Sequence, residues 1–385
     1  MIGIIVALSV LLAACLSLFV VDFVFWLKDR FCRYHIGRWT RDAWENAVEK
    51  RALRWLHRTP VVKISDNSRY MLLDIAQGKY RSHTIQSWQK AALILGHLES
   101  DREECRQKAR QCAEKLIDAS GNWKQKPTKV DCGMLSYAVL RAAEDPTQVR
   151  AAMDYSASLI CKSINSEGMI AYTGGVENPD MYVDTIGLCC PFLCLYGKTY
   201  SLPEYEQIAF HQIEQYRRYG LLNNTALPNH AFHIQNRLPL GVFGWGRGIG
   251  WYVLGLMDSY RNTSDAEHAG RLKRWIGEAA AYYLQFQRQD GGFGSIIQSS
   301  KTYDSSATAA LAWFYASCAE LFGREDYACC AEKCLHKLLK CTRTTGAIDW
   351  CQGDTKGIGI FAQTYDIMPF AQGMCLRAIH LINRK

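Results

Sequence analysis

The chain has 385 residues, 49% of them apolar, and a net charge of +8, so it can bury one large core. Much of the positive charge lies beside the N-terminus, in Lys28, Arg30, Arg33, Arg38, Arg41, Lys50, Arg51, Arg54 and Arg58. No basic stripe interleaved with stacking aromatics follows, which argues against nucleic acid as a partner. The 16 cysteines are scattered without a CxxC pair, and Cys330-x3-Cys334 has no histidine at zinc-finger spacing. They predict reduced, mostly buried thiols and no metal or other cofactor.

Residues 1–21 carry no charge, and an apolar helix of that length can cross a bilayer core of roughly 30 Å. No Lys or Arg precedes Lys28, whereas a cleaved signal peptide opens with a basic region. The lipoprotein-like Leu12-Ala13-Ala14-Cys15 is weakened by the same absence. Residues 1–27 are therefore expected to be a single-pass membrane anchor, and the positive charge after the span predicts a catalytic bulk on the cytoplasmic side. Residues 28–60, with Trp39, Trp44 and Trp55 among charges, read as a juxtamembrane amphipathic segment that lies on the bilayer or packs on the domain of residues 61–385.

From residue 85 onward, apolar runs at helical spacing alternate with polar or glycine-containing loops, and strand-like alternation is scarce. Helices are predicted at 86–99, 103–118, 132–143, 149–164, 183–197, 204–219, 248–261, 265–288, 305–322, 325–341 and 367–382. The loops Gly121-Asn122-Trp123, Glu167-Gly168-Met169, Asp290-Gly291-Gly292-Phe293 and Thr345-Gly346-Ala347 recur between paired helices. Such repetition predicts an all-α fold of helical hairpins closing into an (α/α)6 barrel; an open helical solenoid is the competing arrangement.

Three acids in mostly apolar surroundings are candidates for proton transfer. Asp131 precedes the apolar run from Cys132. Asp184 lies in Met181-Tyr182-Val183-Asp184-Thr185 before the apolar stretch 188–195. Asp304 opens Ser305-Ser306-Ala307-Thr308. An Asp before a helix is also a common N-cap; that reading is preferred for Asp304 and evenly balanced for Asp131. The neighbours of Asp184 instead predict desolvation and a pKa raised toward neutrality. Gly244-Trp245-Gly246-Arg247-Gly248-Ile249-Gly250-Trp251 offers two indoles and a guanidinium, chemistry suited to stacking on a sugar and to gripping a carboxylate. His230 and His233 sit in a loop just upstream.

In order along the chain, these motifs resemble those of the unsaturated glucuronyl and unsaturated rhamnogalacturonyl hydrolases, glycoside hydrolase families 88 and 105. The W-x-R-G-x-G-W pattern is matched by Trp245, Arg247, Gly248, Gly250 and Trp251. The aspartate segment is matched by Asp184 with Pro191-Phe192-Leu193, the histidine loop by His230, the Ser-Ala-Thr-Ala start by Ser306 to Ala309, and the late Gly-x-Gly by Gly357-Ile358-Gly359. The resemblance implies Asp184 as general acid and base, Asp131 as second carboxylate, and His230, Trp245, Arg247, Trp251 and Trp88 around the sugar. It also implies that the acid protonates C4 of a C4=C5 unsaturated uronic acid and then helps water add at C5.

Ile249 stands where the family has asparagine, His233 where it has aspartate, and Thr173 where a histidine is expected. These departures bear on the substrate, an oligosaccharide or polysaccharide fragment, with a lipid-linked glycan fitting the tether. They also keep two alternatives open: a glycan-binding or assembly factor in envelope polysaccharide synthesis, and an epimerase or two-carboxylate glycosidase on the same barrel.

Overall fold

The computed structural model describes all residues except 63–65, 68, 82–84, 173–179 and 385. Fourteen α-helices are present among the described residues: α1 (Ile2–Arg33), α2 (Arg41–His57), α3 (Met71–Ala76), α4 (Ser87–Leu98), α5 (Glu103–Glu114), α6 (Cys132–Ala142), α7 (Arg150–Cys161), α8 (Val183–Tyr200), α9 (Pro203–Tyr219), α10 (Gly246–Asn262), α11 (Ala266–Leu284), α12 (Ser305–Phe322), α13 (Glu325–Lys340) and α14 (Pro369–Asn383). The even-numbered helices from α4 to α14 pack each on the next, and α14 packs back on α4, closing a ring. Outside it, α5, α7, α9, α11 and α13 cover the ring, and α2 completes the outer layer across α4, α5 and α14. The structure is thus mainly helical, as the periodicity predicted, and the ring is closed rather than an open solenoid.

The burial pattern explains the layering. Inner helices α8 and α12 are buried along almost their whole length, from Thr185 to Cys194 and from Ser305 to Ala319. The outer α13 buries only a stripe, including Tyr327, Cys330, Ala331, Cys334, Leu335 and Leu338, as a helix with one solvated face must. Inner helices also approach closely: a Cβ on Gly187 would stand 2.5 Å from the Trp251 carbonyl, and one on Gly373 2.1 Å from that of Ala92. All four recurrent loops place their glycine in the left-handed region, Gly121, Gly168, Gly291 and Gly346 having φ between 77° and 88°, where other residues are strained.

Of the two placements open for residues 28–60, on the bilayer or on the barrel, α2 takes the second. Trp44, Val48 and Ala52 of α2 are fully buried, and the Trp44 indole donates a 2.7 Å hydrogen bond to Thr342 Oγ1, so the outer layer starts at Arg41. The apolar helix α1 runs on to Arg33, with no buried residue in its apolar window and a mean hydropathy of 3.0 there. It is long and apolar enough to cross a membrane, a description that an N-terminal signal sequence also meets. Its last turn docks on the barrel: Arg33 bonds both carboxylate oxygens of the buried Asp349, at 2.7 and 2.9 Å, and the Tyr365 carbonyl at 2.8 Å.

Candidate active site

Because each inner helix is reached through an outer helix running the other way, the inner helices all begin at one end of the ring. Asp131 precedes α6, Asp184 is the second residue of α8, Trp245 precedes α10, Asp304 precedes α12 and Trp88 is the second residue of α4. The residues singled out in the sequence therefore share one mouth. It is lined by helix N-termini, whose unpaired N–H groups favour anions.

A short sheet brings Asp184 and His230 together. Strand β1 (Asp180–Tyr182) pairs antiparallel with β2 (Ala231–His233), and β2 with β3 (Pro239–Leu240). Val183 N–H then donates to the His230 carbonyl at 3.0 Å, and His230 Nε2 lies 3.9 Å from Asp184 Oδ2. Gly359 N–H donates to His230 Nδ1 at 3.1 Å, so the neutral ring carries its proton on Nε2, facing the carboxyl group. The imidazole packs on Trp245 with ring centres 4.7 Å apart, stacks on Phe361 at 5.5 Å, and meets the Tyr182 ring edge-on at 5.7 Å.

Burial pushes Asp184 up, the Arg247 guanidinium opposes this, and Asp354 adds to it, leaving the carboxyl at about 7. Its Oδ2 is buried and has no hydrogen-bond partner. Burial, followed by Arg247, lowers His230 to about 4. Near neutrality the pair therefore consists of a half-protonated acid beside an uncharged imidazole.

Arg247 is held by the loop between α13 and α14. It donates to the main-chain carbonyls of Gln352 at 2.6 Å and Gly353 at 2.8 Å, and its Nη2 is 3.9 Å from Asp354 Oδ1. Gln352 belongs to β4 (Cys351–Gln352), which pairs with β5 (Tyr365–Asp366). Its side chain meets the Trp245 indole at 3.3 Å, and its N–H donates to Asp304 Oδ1 at 3.0 Å. Asp304 also accepts from Ser306 N–H at 2.8 Å; it is the N-cap of α12, as read from the sequence, and a brace for β4.

Trp88 and Trp251 meet edge-on at 5.4 Å, and both contact Phe370, at 5.7 and 4.7 Å. Both indoles are buried, forming an aromatic layer among α4, α10 and α14. Ile249 is a fully buried core residue of α10, and His233 pairs in register with Asp180. Thr173 lies outside the described residues.

Asp131 makes no side-chain cap bond to α6. Burial raises its carboxyl pKa, Lys129 opposes the rise, and Asp354 adds to it. The Tyr172 phenol is pushed far up by burial and then by Asp184, Asp131 and Asp354, so three carboxylates act on one hydroxyl. Asp354 and Tyr172 were missed in the sequence. Asp354 sits in a polar loop where acids are ordinary, and its meaning comes only from Arg247 and from Gln86, whose Nε2 donates to it at 3.1 Å.

The sequence matches the profile of Glycosyl Hydrolase Family 88 over residues 67–383. The chain belongs to this family. Solved structures give the same fold at low identity. A possible GH105 member from Salmonella enterica serovar Paratyphi A is 16% identical with a TM-score of 0.71, the match covering 90% of this chain and 95% of that one. An unsaturated glucuronyl hydrolase specific for heparin is 16% identical at 0.66, covering 89% and 98%. The unsaturated glucuronyl hydrolase of Bacillus sp. GL1, described as responsible for glycosaminoglycan degradation, is 18% identical at 0.63, covering 86% and 94%. No curated protein sequence matches. This family 88 chain is thus a glycoside hydrolase on a helical barrel.

The Asp354 charge gives the site a testable pH signature. Because Asp354 raises Asp184, Asp354→Asn lowers the pH at which Asp184 gives up its proton. The Asp184 titration midpoint, followed by carboxyl-carbon NMR, should move to lower pH. A midpoint that stays in place would show that Asp354 does not act on Asp184.

Proposed function

We propose that this glycoside hydrolase removes a C4=C5 unsaturated uronyl residue, with Asp184 as the proton-transfer group. The observation that carries this reading is a carboxyl poised at about 7 with a buried, unpartnered Oδ2 at the barrel mouth. Protonated Asp184 gives its proton to C4, and the positive charge that develops is shared between C5 and the ring oxygen. Water adds at C5 and returns a proton to the Asp184 carboxylate. The resulting hemiketal opens and releases the aglycone from C1. One group acts first as acid and then as base, so no flanking nucleophile is required. Neutral His230 donates through Nε2 toward the same space, Asp131 is the second carboxylate, and Arg247 supplies positive charge for the uronate. Trp245, Trp88 and Trp251 form the aromatic wall and floor beneath the sugar.

The N-terminus narrows the substrate further. Helix α1 reaches the barrel on the mouth side: Arg33 bonds the β4 loop, and Asp22 accepts from the N–H groups of Tyr70 and Met71 at 2.7 and 2.8 Å. With α1 as a retained single-pass anchor in an (α/α)6-barrel enzyme, and the basic flank on the cytoplasmic side, the mouth lies against the bilayer. That position suits a lipid-linked or membrane-proximal glycan.

The decisive experiment incubates the full chain, in detergent and in vesicles, with a panel of unsaturated disaccharides and follows loss of absorbance from the conjugated double bond. Turnover of at least one member is expected. A folded protein that consumes none of them would overturn the hydration chemistry.

A further inference from the structure

Beyond the mouth, the far end of the barrel carries a second cluster with its own chemistry. Glu49 of α2, His97 of α4 and Cys105 of α5 each place one donor atom within 4.8 Å of the other two. All three side chains are buried, His97 completely and Cys105 to 2% exposure. Both ring nitrogens of His97 lack a hydrogen-bond partner that meets ordinary geometry, a costly condition for a buried imidazole unless something else occupies the space.

We propose that Glu49, His97 and Cys105 form a zinc site that joins α2 to the barrel. One thiolate, one imidazole and one carboxylate are a borderline-soft set of the kind zinc takes, with water completing the tetrahedron. Zn–S bonds of about 2.3 Å and Zn–N bonds of about 2.0 Å require the donors to close in by roughly an ångström, within reach of side-chain adjustment. The surroundings already orient the ligands. Ser100 Oγ bonds Glu49 Oε1 at 3.0 Å, and Arg102 pairs with Glu49 Oε2; each oxygen keeps a free lone pair.

The site is independent of the sugar chemistry and is tested with the metal alone. Full-length protein in detergent, stripped with a chelator, is titrated with Co2+. One equivalent should bring up the intense visible bands of a tetrahedral site together with a thiolate-to-cobalt charge-transfer band, and Zn2+ should bleach both and raise the melting temperature. Glu49→Gln should weaken binding at least tenfold, and Cys105→Ser should remove the charge-transfer band. The wild-type spectrum decides the matter even if a variant misfolds: no charge-transfer band at one equivalent, or a band that survives in folded Cys105→Ser, overturns the assignment.

Discussion

Replacing Asp184 by Asn is expected to reduce kcat by about 10²–10⁴-fold, the usual worth of a positioned proton donor, and to make the protein more stable above neutral pH. The second effect follows from linkage. The Asp184 carboxyl titrates at about 7 in the folded chain against an ordinary value of 3.8, so the folded state holds the proton more tightly than the unfolded one. Its favourable contribution is complete below pH 3.8 and disappears as pH rises through 7, where a charge must be kept in a buried site. Asparagine has the same shape and never ionises. The stability difference between variant and parent should therefore grow from pH 4 to about pH 7 and then level off, at about 2–4 kcal/mol. Paired measurements at several pH values, of turnover and of urea unfolding midpoints, separate this from a simple structural lesion. A variant within tenfold of the parent in kcat, or a stability difference flat with pH, would remove Asp184 from the proposed role.

That expectation rests on a residue whose environment could be read from its neighbours alone. The apolar run after Asp184 belongs to a helix buried on nearly every side, and burial is what raises the carboxyl. Helix positions were legible for the same reason, since α12 and α9 follow runs of uninterrupted helical spacing and fall at 305–322 and within a residue of 204–219. Helix ends were less so. The predicted run 103–118 stops at Glu114 because the chain turns back to bridge Ile117 to Trp123. Residues 41–57 left two placements open because charges dominate their pattern, while Trp44, Val48, Ala52, Trp55 and Leu56 record the buried face. What spacing could not convey is convergence across the ring. Asp354 gains its role from Arg247, more than a hundred residues earlier, and the Glu49–His97–Cys105 cluster draws one residue from each of three helices.

The end of the ring opposite the mouth holds the interaction whose loss should cost the most stability. Arg377 of α14 is fully buried; it grips Asp258 through both Nη atoms at 2.8 Å and Glu99 through Nε at 2.9 Å, with its guanidinium 4.0 Å over Trp313. Arg141 adds a 3.1 Å bond to Glu99. Burial alone would raise the Glu99 carboxyl, but Arg377 and then Arg141 hold it down at about 2. A depressed acid stabilises the folded chain above its ordinary value of 4.5 and loses that contribution as pH falls toward 2. Arg377→Met keeps the packing volume but strands two buried carboxylates, and should destabilise by about 3–5 kcal/mol at neutral pH. The deficit should shrink between pH 4.5 and 2, where the parent loses its own advantage. Adding Glu99→Gln and Asp258→Asn to Arg377→Met should recover much of the loss, because the cost lies in unpaired charge rather than in absent attraction. A single variant as stable as its parent at pH 7 would mean that water or Arg141 compensates both acids, and that the closed end of the barrel does not depend on this arginine.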